Sequence, residues 1–119
     1  MDVTFFTEVD DNAFKSSDDI PDDSILGGGR FTKDNISELL ECFKSGSSAQ
    51  TDNLWLLSVN FSETLSIIDD EKIKIIAEHW SQESSWGNTD VNAVDLANHL
   101  LELKYSYSNS SKRIWVFFE

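Results

Sequence analysis

Leu54-Trp55-Leu56-Leu57-Ser58-Val59-Asn60-Phe61 is the segment that decides the predicted fold. In an extended chain, alternate side chains face opposite ways. One face of this segment is therefore entirely apolar and carries Trp55, Leu57, Val59 and Phe61. The other face is apolar over its first half and polar over its second half. Because this pattern is typical of a strand covered on both sides, we predict that residues 54–61 form the central strand of a small α+β domain.

Two further segments have the two-residue period of strands. Residues 2–9 alternate except at Phe6, and their predicted inward face carries Val3, Phe5, Thr7 and Val9. Residues 113–119 are apolar on both faces, with Ile114, Val116 and Phe118 on one and Trp115 and Phe117 on the other. They predict a first and a last strand, and a hairpin between Tyr105 and Phe118 would add a fourth.

Three segments have the apolar period of helices that pack on one face. The first begins at the N-cap Thr32, with Phe31 packing on Ile36, and ends at a left-handed Gly46. Asp69 is the predicted N-cap of the second helix, and Thr89 or Asp90 that of the third. The apolar stripes are Ile36, Leu39, Leu40 and Phe43; Ile73, Ile76, Ala77 and Trp80; and Ala93, Leu96, Ala97, Leu100 and Leu101.

These segments predict an α+β fold in one domain that spans residues 1–119. Its small mixed β-sheet of three to four strands, in the order β-α-β-α-α-β, is covered by about three helices. Right-handed crossovers would connect parallel strands. Residues 46–53 are a predicted polar linker, and residues 62–68 fit neither period clearly.

The composition is strongly acidic, with 22 acids, 9 bases and a net charge of −13. Such a surface repels nucleic acid and anionic membranes and attracts basic partners. The single cysteine, Cys42, excludes an intrachain disulfide. The sequence has no apolar run of about 20 residues and no signal-peptide pattern. It therefore predicts a cytoplasmic protein that binds neither nucleic acid nor membranes directly.

Much of the acidity lies in a predicted loop at residues 10–30, which ends in Gly27-Gly28-Gly29. Residues 1–29 contain eight acids and one base, Lys15. A long loop in a small domain is often functional, and we interpret the glycines as its hinge. Trp86 lies in a polar connection and is a candidate interface anchor. The predicted partner-binding residues are Asp10, Asp11, Asp18, Asp19, Asp22, Asp23 and Trp86.

Motifs that carry chemistry are weak in this sequence. Cys42 has no neighbouring base except Lys44, so we interpret it as a packing residue. His79 and His99 each have a carboxylate one helical turn away, but neither helix supplies the further ligand of a zinc site. The aspartates lack the spacing of a calcium loop, and the glycines lack the lysine of a phosphate-binding loop. We predict no catalytic residue, no metal and no cofactor.

Size, charge and aromatic content together favour an acidic protein that inhibits a basic partner by binding it. The specific hypothesis is an immunity protein that neutralises a bacterial nuclease toxin, because such a toxin needs a cationic cleft to hold nucleic acid. A DNA-mimic or other regulatory interaction module is the alternative. A small hydrolase that uses His79 or His99 is the third hypothesis.

Overall fold

The computed structural model describes residues 1–7, 16–87, 90–108 and 110–119. These residues contain one five-stranded sheet in the spatial order β2-β1-β5-β4-β3, together with four α-helices. The strands are β1 (Asp2–Thr7), β2 (Ile25–Arg30), β3 (Ser47–Thr51), β4 (Leu54–Leu57) and β5 (Ile114–Phe118). The helices are α1 (Lys33–Cys42), α2 (Val59–Ile67), α3 (Asp70–Ser81) and α4 (Ala93–Tyr107).

The α+β class is confirmed, but the predicted sheet is too small and of the wrong type. Every strand pair in the described residues is antiparallel, so no parallel crossover occurs there. The central strand is β5, which pairs with β1 on one side and β4 on the other. Its five residues are all buried, which explains why both of its faces are apolar.

The segment that decided the prediction is a strand over only its first half. β4 ends at Leu57, and Ser58 is the N-cap of α2. Because Phe61 and Leu65 lie one helical turn apart, both are fully buried on the same face of α2. Within β4 the predicted two-sided cover is confirmed: Leu57 packs under the helices, and Leu54 on the opposite face of the sheet.

Three other predicted boundaries are wrong. The glycines at residues 27–29 belong to β2 and are not a loop hinge. Residues 47–51 of the predicted linker form β3, whose five side chains are all exposed. The predicted strand near Tyr105 does not exist, because α4 continues through Tyr107, whose ring is buried.

The predicted helix starts are confirmed where a side chain caps the backbone. The Thr32 hydroxyl accepts a hydrogen bond from the Asn35 amide at 3.0 Å, and the Asp69 carboxylate accepts one from the Lys72 amide at 2.8 Å. For α4 the cap is Asn92, not Asp90, and Thr89 lies outside the described residues. After α1 the residue with left-handed backbone is Lys44, with φ of 54°, not Gly46.

Each face of the sheet has its own core. The helices cover one face, where Val3, Phe5, Val116 and Phe118 pack against them. The opposite face carries Phe6, Leu54, Trp115 and Phe117, with Ile20 of the predicted acidic loop buried among them. Residues 16–24 are therefore anchored in a core through Ile20, and this positions Asp18, Asp19, Asp22 and Asp23.

Candidate functional site

The residues 16–24 form a segment that is fixed to the sheet rather than a free acidic loop. It consists of two short 3-10 helices, Ser17–Asp19 and Asp22–Ser24, on either side of Ile20, which is 2% exposed. The Ser17 hydroxyl donates a hydrogen bond to the Glu119 carboxylate at 2.7 Å, which ties the segment to the end of β5.

Local hydrogen bonds hold the first 3-10 helix, which carries Asp18 and Asp19. The Ser16 hydroxyl accepts a hydrogen bond from the Asp18 amide at 3.3 Å. The Ser16 amide donates one to the Asp19 carboxylate at 3.2 Å, which completes a capping box. Asp19 therefore has a structural role, while the Asp18 side chain lies exposed beside it.

An open groove of about 570 Å³ lies between this segment and the edge of the sheet formed by β1 and β2. Four carboxylates line it: Asp2 from β1, Asp18 and Asp22 from the 3-10 helices, and Glu102 from α4. Arg30 is the basic residue that lines it. We call Asp2, Asp18, Asp22 and Glu102, with Gly27–Gly29, the acidic groove.

The ion pair in the acidic groove is loose. Arg30 Nε lies 3.6 Å from Asp2 Oδ1, and both side chains are largely exposed. Exposed pairs of this kind contribute little to stability and exchange readily with other charged groups. The groove therefore keeps an excess of negative charge on one side of the molecule.

The wall of the groove along β2 is bare backbone because of its glycines. A Cβ atom on Gly28 would lie 2.4 Å from the Val3 carbonyl oxygen. One on Gly27 would lie 3.2 Å from a methyl group of Leu103. The missing side chains let β2 approach β1 and α4 closely, and they leave room between the carboxylates.

Only part of the predicted partner-binding set lies in this groove. Asp18 and Asp22 line it, whereas Asp19 and Asp23 are exposed on the same segment outside its lining. Asp10 and Asp11 lie outside the described residues. Sequence reasoning missed Asp2, Arg30 and Glu102, because β2 and its neighbours were not recognised as one surface.

Trp86 lies in an aromatic cluster and is not among the residues that line the acidic groove. It is half-buried, and its indole Nε1 donates a hydrogen bond to the Trp80 carbonyl oxygen at 2.7 Å. Its ring centre is 5.5 Å from that of Trp80 and 6.2 Å from that of Phe31. These contacts account for the position of Trp86 within the fold, and its role in partner binding stays a prediction.

His79, His99 and Cys42 lie in different surroundings, and no hydrogen bond joins any two of them in the described residues. His79 is exposed on α3, whereas the His99 ring on α4 packs edge-on against Phe31 at 5.3 Å. Burial, followed by the charges of Glu83, Glu41 and Glu38, raises the pKa of the Cys42 thiol, which disfavours a thiolate nucleophile. In the described parts of the chain, no group of three or more His, Cys, Asp or Glu side chains is placed to hold a metal ion.

Within the described residues, every helix is too short or too polar to cross a bilayer. Comparisons of the chain with models of protein families, with curated proteins and with solved structures gave no match. The acidic groove, with its geometry and its charge, is therefore the candidate functional site of this protein.

Proposed function

We propose that this protein is an acidic binding inhibitor of a basic protein, and that it acts as a cytoplasmic immunity protein against a nuclease toxin. The acidic groove is the observation that carries this proposal. Four carboxylates from three parts of the chain converge on one open surface, with Arg30 as the base among its lining residues. A cationic ridge of a partner fits such a surface by charge.

The electrostatics support rapid capture of a basic partner. The whole chain has a net charge of −13, so its field attracts a cationic protein before contact. Steered association of this kind reaches about 10⁸–10⁹ M⁻¹s⁻¹ at low salt. A nuclease needs cationic side chains to hold phosphate groups, and carboxylates placed against those side chains exclude the nucleic acid.

The second support is the anchored backbone of residues 16–24, which carries Asp18 and Asp22. Ile20 is buried against the sheet, and the capping box at Ser16 fixes the first turn of the segment. The backbone that carries Asp18 and Asp22 is therefore already ordered, so less conformational entropy is lost when a partner binds.

The test removes two charges from the groove with little change in shape. Asp18→Asn with Asp22→Asn should weaken binding to the captured basic partner by about tenfold or more, mainly through slower association. The matched control is Glu41→Gln with Glu63→Gln, which removes two exposed charges outside the groove. Binding is measured by surface plasmon resonance, and inhibition by the nuclease activity of the partner.

Two results would contradict the proposal. One is equal loss of binding in the groove variant and the control variant, since net charge alone would then explain it. The other is capture of a DNA-binding protein that has no nuclease activity, which would favour the DNA-mimic alternative. Binding should also weaken as salt rises from about 0.05 M to about 0.3 M, because exposed charges are screened.

A further inference from the structure

The outer edge of β3 is an unprotected sheet edge. β3 is the last strand in the spatial order and pairs only with β4 among the described strands. All five of its side chains are exposed. Its outward-facing backbone groups can therefore pair with another strand, which is the hazard that edge strands present.

The sequence of this edge lacks the usual devices that prevent such pairing. Proteins protect edges with charged side chains, proline or a covering segment. Residues 45–51 contain no charge and no proline, in a chain with 31 charged side chains among 119 residues. A register shift between Ala49 and Thr51 disturbs only the end near the turn. The pairing of β3 with β4 is regular from Ser47 to Ala49. Just before it, the Gly46 carbonyl oxygen accepts a hydrogen bond from the Ser58 amide.

We propose that β3 pairs antiparallel with β3 of a second copy of this chain, around a two-fold axis at Ser48. In that register Ser48 faces Ser48 of the second copy, and Ser47 faces Ala49. The uncharged, hydrogen-bonding side chains of the edge suit self-pairing, since no like charges meet across the axis. The two sheets join into one continuous sheet.

Charge complementarity at the two ends of the strand favours a second copy as the occupant. Lys44 precedes β3 and Asp52 follows it, so antiparallel pairing brings the Lys44 end of each strand to the Asp52 end of the other. Neither side chain forms an ion pair within the described residues. Lys33 Nζ donates to the backbone carbonyl oxygen of Asp52, so this hydrogen bond does not use the Asp52 carboxylate.

This dimer is weak, because pairing of two short strands buries less than the roughly 1,200 Å² of a stable interface. Repulsion between two copies of net charge −13 opposes it further. Added salt screens that repulsion, so dimerisation strengthens with salt, whereas binding of a basic partner weakens. The two proposals are therefore independent, and their failures are distinguishable.

The experiment is sedimentation velocity on the full chain up to about 1 mM, in about 0.05 M and about 0.5 M NaCl. We expect the weight-average mass to rise towards that of a dimer, and more so at high salt. Ser48→Lys places two cations face to face and should weaken the dimer by about tenfold or more. Ser48→Thr, which keeps a hydroxyl at the same site, is the matched control and should dimerise like the wild type.

A charge exchange tests the register at about 0.15 M NaCl, where contact pairs still attract. Lys44→Glu should weaken the dimer, and adding Asp52→Lys to it should restore the association. A wild-type chain that sediments as a monomer throughout overturns the proposal. So does a folded Ser48→Lys variant, verified by circular dichroism, that dimerises as well as Ser48→Thr.

Discussion

Gly28 is the residue at which the fold depends most directly on the absence of a side chain. Its position in β2, opposite Thr4 of β1, would put a Cβ atom 2.4 Å from the Val3 carbonyl oxygen. A Cβ atom has a fixed position on its backbone and the opposing oxygen is itself backbone, so no side-chain rotation can relieve the contact. The same glycine lines the acidic groove. The missing Cβ atom therefore matters both for stability and for the shape of the candidate site.

Gly28→Ala should lower the free energy of unfolding by about 1–3 kcal/mol, because β1 and β2 must move apart. The matched control is Gly46→Ala, since a Cβ atom on Gly46 would meet no atom within 4 Å. That control should change stability by less than about 1 kcal/mol in either direction. Urea unfolding of both variants gives the comparison, and equal stabilities would contradict the close contact.

At the scale of elements, a polar network joins the start of α3 to the end of α4. Tyr105 Oη donates to Asp70 Oδ2 at 2.5 Å, and Lys104 Nζ donates to Asp70 Oδ1 at 2.9 Å. These bonds, with the one from Tyr105 first, hold the pKa of the Asp70 carboxyl below its ordinary value of 3.8. The bond to Asp70 also raises the pKa of Tyr105 above its ordinary value of 10.0.

The network should make the link between α3 and α4 dependent on pH at both extremes. A lowered carboxyl pKa contributes stability above 3.8 that is lost as the pH falls through the lowered value. A raised phenol pKa contributes stability below 10.0 that is lost as the pH rises through the raised value. Tyr105→Phe should therefore be less stable than the wild type near neutral pH, with a smaller difference in acid.

Tyr107→Phe is the control for this pH dependence. Its hydroxyl donates to the Lys112 carbonyl oxygen, which does not titrate in the acid range. The cost of Tyr107→Phe should therefore be the same at about pH 2.5 and about pH 7, measured by urea unfolding. A Tyr105→Phe difference that stays constant over the same range would contradict the role of Asp70.

Elements were predictable from the sequence where local chemistry decided them. Thr32 and Asp69 start α1 and α3 because their side chains cap the backbone, and β5 is apolar on both faces because it is central. Val59 and Phe61 fit the two-residue period of a strand as well as the first turn of α2. The short stretch 58–61 therefore could not decide between strand and helix. β3 gave no signal because it buries nothing, and β2 because glycines have low strand propensity.

The candidate site was predictable only as an acidic stretch. Asp18 and Asp22 were identified from the density of carboxylates in residues 10–30. Asp2 and Glu102 reach the same groove through the pairing of β1 with β2 and the packing of α4 on β2. Neither contact follows from a local pattern, since each joins residues far apart in the sequence.

At the scale of the whole molecule, self-repulsion should limit stability. The net charge is −13, and the described residues contain three ion pairs, in each of which the carboxylate is substantially exposed. Such pairs contribute little, and salt weakens both them and the repulsion. Because the excess of like charges is larger, the melting temperature should rise as NaCl increases from about 0.02 M to about 0.2 M.

The matched condition for this prediction is choline chloride at the same ionic strength. It should raise the melting temperature in parallel, because screening depends on ionic strength and not on a bound sodium ion. A melting temperature that falls with either salt would show that attractive pairs dominate instead.

The position of β5 in the sheet has a consequence for biosynthesis. β1 pairs with β2 and β3 with β4 through contacts within the earlier part of the chain, but β5 joins the two pairs and Val3 meets Phe118. While the ribosome still holds residues 114–118 in its exit tunnel, the strand that joins the pair β1–β2 to the pair β3–β4 is missing. The inner edges of β1 and β4 then have no strand to pair with. Native closure of the sheet therefore waits until residues 114–118 have left the tunnel. A polypeptide that stalls before that point exposes strand edges that a chaperone would bind.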